Sequence, residues 1–424
     1  GEVPTNRCAV AFVFPGQGSQ RAGMLTNLIA ELPEAAQACR EADAAMLALG
    51  HPPFTRIVGP DAAELGVDVW KTQVAMLLAD YVVYRSLDSL GLAPDVVAGH
   101  SYCEYPALVA AGAWSITDAI RCTRHRAGAI AEVPGLEGCM AATNAPPALI
   151  EESIALLGGA VYLANYNAPE QTVISGRRKD VESVMAWLKQ AGHSVAKLNV
   201  PYPFHSPLMR PSVDRLASTL LDIPLRASEV PVIGTASCRP MTRPKEFVRS
   251  LLDQFVTPVN YPAVLAQLIE FHPALVVEVG PQQVLTKLNW LNHKGGGPVF
   301  MAADNPRRPG AAALLGVLAQ ADCLGCLHRE VSTPPPQPRT PREGRILVID
   351  ATERRREKMR QSSLAPAREA TQPPEDDNES RSRKETSTDE IRQQPSAPVQ
   401  ESPRAVLPLE QPPPDDAPAA ADAD

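Results

Sequence analysis

Ser101 is the residue in this sequence whose surroundings point most directly to chemistry. The apolar run of residues 94–98 leads into the segment GHSYC, residues 99–103, and from Glu104 onward the spacing predicts a helix. A serine on a tight strand-to-helix turn is raised above the sheet, near the positive end of the helix, where a developing oxyanion is stabilised. Ser101 is therefore a candidate nucleophile. The turn departs from the G-x-S-x-G pattern at Cys103, which stands where the second glycine is expected.

A serine nucleophile needs a base, and histidine is the usual one. His205, in VPYPFHSPLM, follows a predicted strand and lies in a loop that two prolines stiffen. We take His205 as the candidate base; the alternative is a loop histidine with no catalytic role. His100 directly precedes Ser101, and we expect its side chain to be structural and to point away from the nucleophile.

Arg126 lies on a helix predicted to begin at Ser115, where Asp118 three residues later suggests a capping box. At about 100° per residue, Arg126 falls at the border of the apolar face, so we expect it to be half-buried. A buried guanidinium needs a partner. The sequence leaves two partners open, which are an internal carboxylate and a substrate carboxylate held by the two-pronged fork.

The glycine-rich turn FPGQGSQ, residues 14–20, follows a predicted buried strand. Gly16 and Gly18 allow a ligand to approach the backbone closely. A turn after a strand also presents N–H groups of the kind that form an oxyanion hole.

The elements around these residues predict an α/β fold. Strand-like and helix-like runs alternate from residue 9 to 137 and again after residue 201, which favours a parallel sheet with helices on both faces. Residues 138–200 instead show the order β-α-β-β-α-β, which is typical of a ferredoxin-like subdomain. We therefore predict an α/β core with a parallel sheet, residues 9–137 and 201–330, and an inserted ferredoxin-like subdomain, residues 138–200.

Composition sets limits on both ends of the chain and on its partners. Residues 331–424 are rich in Pro, Gln, Ser and charge, and we predict a disordered linker there, with the strand-like RILVID at 345–350 as an exception. Residues 1–8 are interpreted as a linker remnant. The net charge of -8 argues against nucleic acid as a partner. No long apolar segment predicts a membrane span or a signal peptide, so we expect a cytoplasmic protein.

The eight cysteines show no zinc-ligand spacing. Cys323 and Cys326 form a C-x-x-C that lacks a second pair, so we interpret both as ordinary thiols and predict no metal site.

Taken in order, these segments resemble the malonyl-CoA:acyl carrier protein transacylase family and the acyltransferase domains of type I polyketide and fatty acid synthases. The similarity runs from about residue 9 to about residue 321. It is carried by a series of motifs in a fixed order: FPGQGSQ, TQVAMLLADY, GHSYCEYPALVAAG, RHRAG, PFHSPLM, DQFVTPVNYP and EVGPQQVLTKL.

The resemblance implies that residues 9–137 and 201–330 form an α/β-hydrolase-like acyltransferase core that carries the ferredoxin-like insert. It also implies a role for each matching residue. Ser101 would be acylated, His205 would be its base, and Arg126 would hold the free carboxylate of an extender such as malonyl. The N–H groups of Gln17 and Tyr102 would form the oxyanion hole. Gln254 matches the residue that orients the histidine in place of a triad acid.

The same resemblance implies the substrates and partners. Malonyl-CoA would be the donor, the phosphopantetheine thiol of an acyl carrier protein the acceptor, and no cofactor would be bound permanently. A ketosynthase and other synthase domains would be neighbours in the same polypeptide.

Two further positions bear on the substrate and the type of synthase. In these domains a Phe before the histidine, here Phe204, goes with malonyl, whereas Tyr at the position of Tyr202 is more familiar in methylmalonyl domains. We give Phe204 the greater weight because it adjoins the base. A tyrosine directly after the nucleophile, here Tyr102, resembles the pattern of iterative synthases of the enediyne type. That type would place the protein in antibiotic biosynthesis.

Three competing functions remain open. A serine hydrolase, such as a thioesterase, would use the same serine and histidine but would have no need of Arg126. A methylmalonyl-selective transferase would fit Tyr202. A non-catalytic docking module would follow if Cys103 tilted the turn so far that the Tyr102 N–H missed the oxyanion.

Overall fold

The computed structural model describes residues 7–220, 222–308 and 310–327. The predicted tail at 331–424, with its RILVID segment, and residues 1–6 of the predicted N-terminal linker lie outside these ranges. The strands are β1 (Val10–Phe14), β2 (Val96–Gly99), β3 (Cys139–Thr143), β4 (Val161–Ala168), β5 (Gln171–Gly176), β6 (Val195–Lys197), β7 (Val232–Ile233), β8 (Pro240–Met241), β9 (Val259–Asn260), β10 (Leu275–Glu278) and β11 (Val299–Ala302).

The helices and three short 3-10 turns connect these strands. The helices are α1 (Thr26–Glu31), α2 (Pro33–Ala48), α3 (Phe54–Val58), α4 (Val69–Ser89), α5 (Glu104–Ala110), α6 (Ile116–Ala131), α7 (Pro147–Leu157), α8 (Arg178–Gln190), α9 (Arg210–Leu220), α10 (Pro244–Asp253), α11 (Tyr261–Ile269), α12 (Val284–Asn292) and α13 (Ala312–Cys323). The 3-10 turns are Ala62–Glu64, Ser101–Cys103 and Pro207–Met209. No helix in the described ranges is long and apolar enough to cross a bilayer.

The larger sheet has the strand order β11-β10-β1-β2-β7-β8 and is parallel except for the β7–β8 pair. Every residue of β1 is buried, as expected for a strand covered on both faces. Its side chains alternate between two cores: Phe12 belongs to one apolar cluster, and Ala11 and Val13 to another. The fold is therefore mixed α/β, with apolar cores on both sides of the sheet.

The smaller sheet has the strand order β6-β3-β5-β4-β9. Residues 138–200 supply β3-α7-β4-β5-α8-β6, whose neighbouring strands are antiparallel. The fifth strand, β9, comes from much later in the chain and pairs parallel with β4. Residues 138–200 are therefore joined to the later part of the core by hydrogen bonds within one sheet.

Helix boundaries extend beyond the periodic pattern where a cap allows it. The apolar spacing predicts a helix over residues 72–85, whereas α4 begins at Val69. The Asp68 carboxylate accepts the N–H of Lys71 at 2.8 Å, which supplies the N-terminal cap.

The register of the larger sheet brings the candidate site residues together. Phe14 is paired with Gly99 and Val13 with Glu278, so β1, β2 and β10 end at the same edge. The glycine-rich turn and the turn that carries Ser101 therefore meet at the carboxyl edge of parallel strands, where α/β folds place their ligands.

Candidate active site

Ser101 lies on a strained turn between β2 and α5. Its φ is +57°, in the left-handed region that non-glycine residues seldom adopt. A Cβ at Gly99 would overlap the carbonyl oxygen of Cys103, so glycine is needed there for the turn to close. Such strain is typical of functional turns, and here it presents the serine hydroxyl above the sheet.

Ser101 and His205 form a hydrogen-bonded pair. The Ser101 Oγ lies 2.6 Å from the Nε2 of His205, which is only 4% exposed. On the other side of the ring, Nδ1 lies 3.2 Å from the Thr257 carbonyl oxygen. Because a carbonyl only accepts, Nδ1 carries the proton and Nε2 is free to accept the serine proton.

Gln254 acts on the histidine through its main chain and not through its side-chain amide. Gln254 is wholly buried, and neither side-chain polar atom has a hydrogen-bond partner among the described residues. Its main-chain carbonyl and that of Thr257 instead act on His205. Both carbonyls belong to the loop that connects α10 to β9, so the orientation of the ring depends on the backbone.

The environment keeps His205 neutral. Burial lowers the pKa of His205 to about 3, and the nearby His100 and Arg126 act in the same direction. The two main-chain carbonyls act in the opposite direction but are outweighed. The ring is therefore a neutral base throughout the physiological range.

Arg126 is fully buried at 2% exposure, rather than half-buried as the helical spacing suggested. The helix position is as predicted, because the Ser115 hydroxyl caps α6 through the Asp118 N–H at 3.1 Å. The added burial comes from aromatic rings that the pattern on α6 cannot reveal. The guanidinium carbon lies 4.2 to 5.9 Å from the ring centroids of Phe255, Tyr102, Phe204 and Tyr105.

The Arg126 guanidinium has no carboxylate partner in the described part of the chain. None of the ion pairs found there involves it, and its Nε makes no hydrogen bond. Its neighbours Tyr102 and Phe204 are adjacent in sequence to Ser101 and His205. A buried cation beside the reactive pair is therefore available to an anionic ligand group.

Gln73 connects Arg126 to the glycine-rich turn, and sequence reasoning assigned it no role. The Arg126 Nη1 donates to the Gln73 Oε1 at 3.3 Å, and the Gln73 Nε2 donates to the Gln17 Oε1 at 3.1 Å. The available signal in the sequence was a glutamine directly before the apolar run VAMLLA of α4, and the structure buries it completely.

A cleft of about 90 Å³ contains the reactive pair. Of the residues expected at the site, Gln17, Ser101, Phe204 and His205 line it. His100 also lines it, and its Nε2 donates to the Asn167 Oδ1 at 2.9 Å, so its side chain does not point away from the site as expected.

The other expected site residues lie outside this lining, namely Tyr102, Arg126, Tyr202 and Gln254. The Tyr202 ring is 6.0 Å from that of Phe204, and Tyr202 is half-buried. The Tyr102 side chain is wholly buried, with its hydroxyl 2.8 Å from that of Thr123. Tyr102 can therefore contribute its main-chain N–H to the site, but its ring faces the core.

Two asparagines of β4 were also missed. Asn165 and Asn167 are less than 10% exposed and line the cleft. Their signal in the sequence was polarity at every second residue of an apolar strand, which places both side chains on one face of the sheet.

In the described ranges no group of three or more His, Cys, Asp or Glu side chains is placed to hold a metal ion. Cys323 is exposed, Cys326 is buried, and both are free thiols.

Known proteins are similar to this chain in both sequence and fold. A family model described as acyl transferase domain matches residues 11–294. The malonyl CoA-acyl carrier protein transacylase of Bacillus subtilis (strain 168) is 37% identical over 285 residues, which is 66% of this chain and 89% of that protein.

Two solved structures are similar over most of the chain. One is a type II polyketide synthase acyl-carrier protein in complex with its malonyl-transacylase, with TM-score 0.66 and 30% identity, covering 74% of this chain and 99% of that chain. The other is the acyltransferase domain from the second module of the salinomycin polyketide synthase, with TM-score 0.67 and 31% identity, covering 78% and 76%.

Proposed function

The chain belongs to the acyl transferase family, and on that premise we propose that it moves a malonyl group from malonyl-CoA, through Ser101, to the phosphopantetheine thiol of an acyl carrier protein. One observation carries the choice of acyl group. Arg126 is a buried guanidinium with no carboxylate partner among the described residues, and it lies beside the Ser101–His205 pair. An acyl group with a free carboxylate satisfies that charge, whereas a neutral acyl chain leaves it unpaired.

In the first half-reaction the serine oxygen attacks the thioester carbonyl carbon. The Ser101 proton passes to Nε2 of His205, which lies 2.6 Å away, and the carbonyl oxygen becomes an oxyanion. We assign the main-chain N–H groups of Gln17 and Tyr102 to that oxyanion. The carbon–sulfur bond then breaks, and the CoA sulfur takes the proton from Nε2.

In the second half-reaction the carrier thiol repeats these steps in reverse. The thiol gives its proton to Nε2 and its sulfur attacks the ester carbonyl carbon. The carbon–oxygen bond to Ser101 breaks, and the serine oxygen recovers its proton from the histidine. The cycle needs no oxidant or reductant, and we propose that the protein keeps no bound cofactor.

Selection of malonyl over methylmalonyl is assigned to Phe204. This ring is 5% exposed, lines the cleft and approaches the Arg126 guanidinium to 5.5 Å. An α-methyl group would compete for the space that the ring fills, which is worth about 1 to 3 kcal/mol. The Tyr202 ring lies 6.0 Å from that of Phe204, and Tyr202 is the residue that favours the methylmalonyl alternative.

We assign the protein to polyketide biosynthesis, as part of a type I synthase. The similarity to the salinomycin synthase domain supports the polyketide setting, and Tyr102 is the one residue that favours an iterative, enediyne-like type and a role in antibiotic biosynthesis. Neighbouring ketosynthase and other synthase domains, and a cytoplasmic location, stay predictions.

For the architecture we propose an α/β-hydrolase-like core with a ferredoxin-like subdomain at 138–200. The order of four antiparallel strands, β6-β3-β5-β4, with α7 and α8 contributing to their own apolar cluster, supports the second assignment. The parallel larger sheet and the turn at Ser101 support the first.

Mass spectrometry after incubation with malonyl-CoA tests the proposal. We expect a malonyl adduct on Ser101, its loss in Ser101→Ala, and its retention in the exposed control Ser218→Ala. Added carrier protein should remove the adduct and become malonylated on phosphopantetheine. Release of free malonate instead would identify a hydrolase, and no adduct on the parent would rule out the transferase.

The carboxylate role of Arg126 is tested with two donors. Arg126→Ala should lower kcat/KM for malonyl-CoA by about 100-fold or more, because a charge-assisted pair is lost, and lower that for acetyl-CoA far less. Arg124→Ala, an exposed residue on the same helix, is the control. Equal losses with both donors would show that Arg126 does not bind the malonyl carboxylate.

A further inference from the structure

Asp80, on α4, is a fully buried acid to which the transfer mechanism gives no part. It is 0% exposed, and neither carboxyl oxygen makes a well-aligned hydrogen bond to any described residue. Within the described ranges Asp80 forms no ion pair. The buried carboxyl group of Glu278 lies near enough to raise its pKa further. Burial raises the pKa of Asp80 well above its usual value, because an unpaired carboxylate in such a place is costly, and so favours the protonated form.

The side chain placed against this acid is the thiol of Cys103. Cys103 is 0% exposed, and its thiol and the Asp80 carboxyl group each act on the pKa of the other. The 3-10 turn that carries Cys103 contacts α4, the helix of Asp80. Cys103 occupies the position where the turn pattern calls for glycine, so its Cβ and sulfur need space inside the fold.

Asp80 also touches the second turn of the site. A Cβ at Gly280 would overlap the Asp80 Oδ1 and would lie 2.7 Å from the Cγ of Pro15. Asp80, Pro15 and Gly280 therefore converge at one point. Pro15 leads directly into Gly16 and Gln17, whereas Cys103 directly follows Tyr102, so the acid lies beneath both segments that would bind the oxyanion.

We propose that Asp80 and Cys103 form a matched pair of positioning residues, which fixes the two oxyanion-binding turns relative to each other in a chain that lacks the usual glycine. The inference rests on the proposed function only for the identity of the acyl group. Neither residue lines the cleft, and both are fully buried, so neither touches the substrate. The pair replaces the close backbone packing that glycine would give at residue 103.

A double-mutant cycle with a serine-directed fluorophosphonate tests the pair. This probe needs the Ser101–His205 pair and the oxyanion hole, but neither a carboxylate nor a carrier protein. Asp80→Ala should slow labelling of Ser101 by about tenfold or more, the scale of one misplaced oxyanion donor, with the KM for malonyl-CoA nearly unchanged. Asp80→Asn, a neutral side chain of the same shape, should stay within about threefold of the parent.

Cys103→Gly removes the side chain that Asp80 holds. In that background Asp80→Ala should cost less than about threefold, so the two losses should not multiply. Ser86→Ala, which removes another wholly buried polar group of α4, is the matched control. It should lower the free energy of unfolding without changing the labelling rate.

Two results would overturn the pair. One is that the losses from Asp80→Ala and Cys103→Gly multiply, which would make the residues independent. The other is that Asp80→Ala lowers only the free energy of unfolding while labelling proceeds at the parent rate. If Asp80→Ala does not fold, the same cycle is run with Asp80→Ser, whose side chain is shorter, and Cys103→Gly. A parent that is labelled but transfers no malonyl group would contradict the proposed function and leave this test intact.

Discussion

At the scale of single residues, the neutral state of His205 determines how the site responds to pH. An ordinary histidine has a pKa of about 6.5 and gains a proton near neutrality. Burial lowers that of His205 to about 3, so the free base is present well below neutral pH. The serine therefore keeps its proton acceptor across the physiological range.

We expect acylation of Ser101 to show no acid limb near pH 6.5. The rate should be level between about pH 5 and pH 8, because the base is already deprotonated there. Single-turnover formation of the malonyl adduct across that range measures it, with intrinsic fluorescence as a control for unfolding. A fall in rate centred between pH 6 and 7 would contradict a depressed pKa at His205.

Gln73 gives a second prediction at this scale. Gln73→Leu keeps the volume of the side chain but removes the hydrogen bonds to Arg126 and Gln17. We expect kcat/KM for malonyl-CoA to fall by about tenfold or more, since the hydrogen bond to the charged Arg126 is worth about 1.5 to 3 kcal/mol. Gln37→Leu, on the exposed face of α2, should have no effect. A loss of the same size with acetyl-CoA would argue against a link through Arg126.

The reactive residues were predictable because their chemistry depends on type and order. Ser101, His205 and Gln17 were found from turns and motifs, and the structure brings all three to one cleft. The partners of Arg126 were not predictable from α6, because Phe255 and Phe204 come from segments more than 75 residues away. That Gln254 acts through its main-chain carbonyl was not predictable, because a main-chain carbonyl leaves no mark on residue type.

At the scale of elements, the turn between β2 and α5 depends on Gly99. Gly99→Ala should displace the turn, because the added Cβ would overlap the Cys103 carbonyl oxygen. We expect labelling of Ser101 by a fluorophosphonate to fall by about 100-fold, the scale for loss of an oriented nucleophile and an oxyanion donor. Gly316→Ala on α13, where nothing lies within 4 Å of the new Cβ, is the control. Equal labelling of the two variants would contradict this account of the turn.

Element type was easier to predict than element extent. The apolar run before Ser101 and the periodic run of α4 both indicated the correct element, although their ends differ by up to four residues from β2 and α4. Strands β7, β8 and β9 are two residues long each and were not predicted. A two-residue strand has no period to detect, and it forms only because a neighbouring edge is available.

At the scale of the whole molecule, Glu278 links the end of β10 to the start of α12. Its carboxyl group accepts the N–H groups of Val284, Leu285 and Thr286 at 2.7 to 2.9 Å. Burial nevertheless raises its pKa from 4.5 to about 7. In the unfolded chain this acid loses its proton near pH 4.5, whereas in the folded protein it keeps the proton until about pH 7.

The stability contributed by this proton should therefore be complete below about pH 4.5 and be lost as the pH rises to about 7. At about 1.4 kcal/mol per pKa unit, the loss is roughly 3 kcal/mol. We expect the free energy of unfolding of the parent, relative to Glu278→Gln, to fall by about that amount across the window. Urea titrations at several pH values measure it, and exposed Glu152→Gln should follow the parent. A difference that rises with pH would contradict a raised pKa at Glu278.

Strand β9 has a practical consequence for chimeric enzymes. A swap of residues 138–200 between relatives would remove four strands of the smaller sheet and leave the fifth behind, facing a β4 edge from another protein. Thr257, whose carbonyl oxygen accepts from His205, lies two residues before β9. A poorly matched graft would thus disturb the base while leaving every recognised motif unchanged. Exchanging residues 254–260 together with 138–200 keeps the donor sheet and the histidine acceptor as one inherited unit.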